Sequence, residues 1–145
     1  MEKLFTYYFQ RADFANALRI AEGQCLEFPY TITYFERAAK LAQKLNDDSR
    51  ALFYLIKIWN NFVKSNEIAE QLVITTLNAD RPELANQYFD YLILNTNPNR
   101  HLVEMRNTVF EIIRKKKQLE DNPEDISVIN EIADLYIQVN NEKAA

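Results

Sequence analysis

The chain is short of the residues that break helices. One glycine and four prolines stand among its 145 residues, too few for many strands joined by tight turns. The same count excludes a glycine-rich phosphate loop. Cysteine and histidine occur once each. A lone cysteine excludes an internal disulfide framework and fits a reducing compartment. A lone histidine excludes a two-histidine metal site and the H-E-x-x-H motif. No stretch reaches about 18 apolar residues without charge, so no membrane-spanning helix is expected. The N-terminal run Met1-Glu2-Lys3-Leu4-Phe5-Thr6-Tyr7-Tyr8 lacks the basic segment and cleavage site of a secretory signal. The expected location is cytoplasmic. Net charge is −4, with acids and bases interspersed, so no nucleic-acid footprint is expected.

Helical periodicity is what remains, and it is abundant. Residues 36–59 read as two amphipathic helices joined by one polar turn. Ala38, Ala39, Ala42 and Leu45 recur at helical spacing before the turn, and Ala51, Tyr54, Leu55, Ile58 and Trp59 after it. Asn46-Asp47-Asp48-Ser49 supplies turn and N-cap residues. Small side chains let the two backbones approach closely. Ala17 and Ala85 lie 34 residues before and after Ala51, so the chain reads as a helical repeat. Phe14, Ala17, Leu18, Ala21 and Cys25 mark the second helix of a first unit, which Pro29 stops.

This pattern resembles the tetratricopeptide repeat, a 34-residue helix-turn-helix unit with preferred small and aromatic positions. Leu4, Tyr8, Phe14, Ala17 and Pro29 match its signature, although its two usual glycine sites hold Phe5 and Ala12. The resemblance implies an all-α fold, a right-handed array of antiparallel helix pairs (an α-solenoid). One such domain is expected over residues 1–145, as units at about 1–31, 32–65 and 66–99. A long helix at roughly 101–120 breaks the rhythm within 100–125, and a partial unit spans 126–145, the whole forming part of a longer protein. In the second unit Leu52, Phe53 and Ile56 make the second helix apolar all round, so it is expected to be sandwiched at the centre. In the third, Ile68, Ala69, Leu72, Val73 and Thr76 face inward, then Ala85, Tyr88, Phe89 and Leu92. Pro82 opens that unit's second helix, and Asn97-Pro98-Asn99 ends the unit. Ile129, Ile132, Ala133 and Tyr136 form the last stripe, before a turn at Asn140-Asn141-Glu142-Lys143.

Residues that could carry chemistry are sparse. His101 reads as a capping or surface histidine, and Cys25 as a small core residue without a base. Gly23 falls inside a helix, where it costs up to about 1 kcal/mol against alanine, and suggests a close helix contact. The acid pairs Asp47-Asp48, Glu120-Asp121 and Glu124-Asp125 flank helix starts and turns, where they cap rather than catalyse. Arg114-Lys115-Lys116-Lys117 reads as a solvated helix end. No catalytic residue, metal or cofactor is expected.

The resemblance places the working surface in the concave groove made by the first helix of each unit. The groove positions include Phe9 and Gln10, then Glu36, Lys40, Gln43 and Lys44, then Glu67, Glu70, Ile74, Leu77 and Asn78. Relatives that grip the carboxylate tail of a chaperone use a clamp of Lys, Asn and Arg at positions held here by Glu2, Thr6, Lys40, Glu70 and Ile74. Acids where cations are needed would repel that ligand, so it is rejected. The expectation is a non-catalytic scaffold that binds a protein or peptide through the groove or the open C-terminal end. The alternatives are the repeat domain of a larger bacterial enzyme such as a glycosyltransferase, and a small secretion chaperone or peptide-sensing arm. A missing last helix would leave apolar surface that a second copy covers, giving a homodimer.

Overall fold

Turn chemistry decides where these helices stop. Ala12, Asn46 and Asp80 have φ of 54°, 56° and 56°, the left-handed conformation that ends a helix. They lie 34 residues apart. At the first two the backbone closes in the same way, with Asp13 N–H donating to the Tyr8 carbonyl at 3.0 Å and Asp47 N–H to the Ala42 carbonyl at 2.9 Å. The next residue then caps the following helix. The Asp13 carboxylate accepts from Asn16 N–H at 3.3 Å, and that of Asp47 from Arg50 N–H at 3.1 Å.

The computed structural model describes residues 1–97 and 100–144, and these are all-α, with no strand among them. They fall into two compact units, Met1–Ala79 and Asp80–Ala145. Unit 1 holds α1 (Glu2–Gln10), α2 (Phe14–Glu27), α3 (Ile32–Lys44), α4 (Asp48–Asn61) and α5 (Asn66–Asn78). Each packs on the next along the chain. Ala17, Ala21, Ala38, Ala42, Ala51 and Ala69 have no exposed surface, which sets the close approach of the backbones. Leu18, Leu55, Ile58 and Leu72 fill the space around them. Each such side chain contributes roughly 1.5–3 kcal/mol of burial.

Unit 2 starts differently. Arg81 stands where Asp13 and Asp47 stood, and it makes no side-chain cap. A 3-10 turn, Pro82–Leu84, follows, so α6 (Asn86–Asn95) is only 10 residues long. The sequence expectation had α-helix from Pro82 onward. Proline at the first position and the missing cap explain the tighter turn. Then come α7 (Arg100–Asp121) and α8 (Ile126–Ala144), which pack on each other. Met105, Val109 and Ile112 of α7 and Ile132 and Val139 of α8 are buried.

Several expectations fail locally. Helix α8 runs through the turn expected at Asn140–Lys143, because that stretch holds no glycine or proline to end it. Its buried stripe is Ile132 and Val139, while Ile129 and Ala133 are exposed. Leu4 is exposed on α1, and Phe53 is 53% exposed, so α4 is not covered all round. A side chain at Gly23 would meet only Met1 Sδ at 3.8 Å, so no close helix contact requires the glycine. The basic run lies before the end of α7 with most of its charge paired: Arg114 to Glu111 at 2.8 Å, Lys115 to Glu131, and Lys116 to Asp80 at 2.6 Å. The unit end expected at Pro98-Asn99 lies outside the described residues. Among the described residues no helix is long and apolar enough to cross a membrane.

Candidate functional site

The expected groove residues belong to unit 1, on α1, α3 and α5. Helix α3 keeps its alanines inward, so Glu36 and Lys40 project from the opposite edge as exposed neighbours one turn apart. Across from them, α5 starts at Ser65, whose hydroxyl accepts from Ile68 N–H at 3.2 Å. Between the two helices lies a pocket of about 210 Å³. Glu36, Lys40, Glu67 and Gln71 line its rim, and Ala39, Leu55 and Ile58 its base. Polar rim over apolar floor is the arrangement that orients a ligand while burying part of it.

The remaining candidates scatter around this pocket. Phe9 is 45% exposed and stacks on Phe5 at 5.7 Å, with its other neighbour Phe14 edge-on at 5.8 Å. Lys44 Nζ sits 5.0 Å from the Phe14 ring centre, so Phe9 and Lys44 meet through a shared ring. Gln10 lines a separate shallow concavity on α1 with Glu2 and Arg11. Gln43 is half-buried. Glu70, Ile74 and Asn78 are exposed along one face of α5. Leu77 is buried at 5% exposure and belongs to the core. Leu77 falls on the Phe9–Gln43 position of the 34-residue spacing, and in α5 the apolar stripe extends over that position. Glu67 was among the expected groove positions and Ile68 among the inward-facing ones, whereas Ser65 and Gln71 were missed by sequence reasoning. The cap at Ser65 was the available signal, since a cap places the first turn of α5 beside its neighbour.

Electrostatics clamp one edge of this face. Glu2 Oε1 accepts from Arg37 at 2.6 Å and from Gln24 at 2.7 Å. The Arg37 bond chiefly holds the Glu2 carboxyl below its ordinary range, against desolvation, which alone would raise it. Arg37 also lies 4.6 Å from the Phe5 ring centre, so one guanidinium ties α1 to α3. Cys25 is 5% exposed, and burial pushes its thiol up to about 11, with Glu22 adding to the effect. A thiol so held stays protonated and is a poor nucleophile. His101 is half-buried in the first turn of α7, in unit 2. No family model, characterised protein or solved structure matches this chain.

Proposed function

We propose that the chain is a helical-repeat interaction module of the tetratricopeptide type, a scaffold that holds a protein or peptide segment against the exposed faces of α3 and α5. The observation that carries this reading is the pocket between those helices, with Glu36 and Lys40 on its rim. The 34-residue recurrence of Ala12, Asn46 and Asp80 in the left-handed conformation adds support. So does the burial of Ala17, Ala51 and Ala85 at the same spacing. Adjacent opposite charges on the rim suit a ligand with both charges, presented at the spacing of an extended chain. Selection from a displayed peptide library tests it. Peptides enriched on the wild-type chain should lose binding to Glu36→Lys and to Lys40→Glu, with the opposite charge preference emerging on reselection. Enriched peptides that bind both variants undiminished would overturn the groove.

A further inference from the structure

Unit 1 has a second concavity on the side formed by α2 and α4, lined by none of the expected groove residues. Its volume is about 540 Å³, within the span of small-molecule sites. Cys25, Phe35 and Tyr54 are each under one-tenth exposed and form the floor. Leu26 and Phe53 stand beside them, 85% and 53% exposed. Grouped around a hollow, large apolar side chains make the kind of patch that ligand-binding grooves present. The rings brace one another: Phe53 stands edge-on to Tyr54 at 5.1 Å, and Phe35 edge-on to Tyr54 at 6.2 Å. The hollow is therefore preformed.

Charge narrows the occupant. Glu22 is on the lining, and its carboxylate already meets Arg50 at 3.3 Å. Lys57 lies on the same lining, with its Nζ 5.5 Å from the Phe53 ring centre and no ion-pair partner among the described residues. A cationic ligand would meet Lys57 as a like charge. A neutral body would cover Lys57 without pairing it, at a desolvation cost. Glu22 would repel a second carboxylate, which favours one acid group over an acidic peptide run.

We propose that this cleft binds a small apolar monocarboxylate, an aryl or medium-chain acyl acid. Its hydrophobic body fills the floor over Cys25, Phe35 and Tyr54, and its carboxylate pairs with Lys57. This site is independent of the α3–α5 groove. The test is a nuclear magnetic resonance titration of the whole chain with 1-naphthylacetate, octanoate, 1-naphthylacetamide and the peptide acetyl-Phe-Asp-Asp-amide. Both acids should give saturable shifts at residues 22–29 and 53–61. The naphthyl amide should bind about three- to fivefold more weakly than its acid, the size of an exposed ion pair. Lys57→Ala should erase that difference, and Phe53→Ala should weaken acid and amide alike. Lys40→Ala, on the other groove, should change nothing, so failure of the peptide reading would leave this result standing. Absent or unsaturable shifts with both acids would overturn the proposal. Equal binding of acid and amide would remove the role of Lys57, and tighter binding of the peptide than of either acid would overturn the small-molecule assignment.

Discussion

Seven alanines are buried in unit 1, whereas among the described residues of unit 2 only Ala85 is. Helices in unit 1 are short, 9 to 14 residues, and approach closely over those alanines. The paired helices α7 and α8 of unit 2 have 22 and 19 residues and meet over Met105, Val109, Ile112 and Val139. Polar ties supplement that contact: Lys115 pairs with Glu131, and Asp80 takes both Lys116 at 2.6 Å and the Tyr136 hydroxyl at 2.5 Å. Exposed pairs of this kind contribute about 0–1 kcal/mol each, so they cannot replace packing. The difference teaches that small side chains make a core intolerant of volume, while long helices with bulky contacts leave faces free to vary.

The largest predicted effect breaks the alanine packing. Ala51→Leu should cost roughly 1–3 kcal/mol, because added methylenes have no space between α4 and its neighbours. The same change at exposed Ala133 of α8 should stay within about 0.5 kcal/mol. Urea denaturation monitored by circular dichroism decides this, and equal losses would erase the contrast.

Helix starts give the next effect. Asp47→Ala removes the bond to Arg50 N–H and should cost about 1 kcal/mol. Arg81→Ala, at the corresponding position in unit 2, removes no cap and should fall within about 0.5 kcal/mol. A larger loss at Arg81 than at Asp47 would contradict the local account.

Much of this was legible in advance. The alanine spacing, the polar turns and the all-α class follow from periodicity and turn residues alone. Leu77 was misplaced because a groove position inherited from a pattern ignores which side chains the neighbour covers. Phe53 looked like core, since periodicity counts apolar residues but not the helices available to bury them. Helix α8 overran its expected turn because asparagine permits a turn without enforcing one. The 3-10 turn at Pro82 followed from a missing cap, a local energy difference too small for pattern to resolve.

A smaller pair of changes exchanges glycine and alanine. Ala12 holds φ of 54° despite its Cβ, which costs about 1 kcal/mol or more against glycine. Ala12→Gly should therefore stabilise unit 1 by about 1 kcal/mol. Gly23→Ala should stabilise by about 0.5–1 kcal/mol, since the new methyl meets only Met1 Sδ at 3.8 Å. Thermal melting of the two variants and their combination checks sign and additivity.

Acid should have the smallest effect, in both units. Glu2 is held below its ordinary range, mainly by Arg37. Burial raises Asp80, but the hydrogen bonds from Lys116 and Tyr136 outweigh it and leave it lowered. A depressed folded value means that stability is present above the unfolded pKa, about 4, and is lost as pH falls through the folded one. Glu2→Gln and Tyr136→Phe should each flatten that loss, measured by denaturation between neutral pH and about pH 3. Variants that track the wild-type acid curve would show that neither carboxylate contributes.

The left-handed residues at 12 and 46 carry a consequence for how such a chain can vary through descent. Within α2 and α3, which lie between them, every residue advances the backbone by about 100° around a helix axis. Exchanging one side chain for another leaves that angular count untouched. Removing a single residue from the middle of α3 would leave the Asp47–Ala42 bond closed, but would turn Leu41, Ala42 and everything after them about a quarter-turn off the buried face that Phe35 and Ala38 begin. Kind is therefore negotiable on the exposed faces of these helices, but number is not, and tolerated insertions should collect at the 28–31 link, where no left-handed residue closes the helix end.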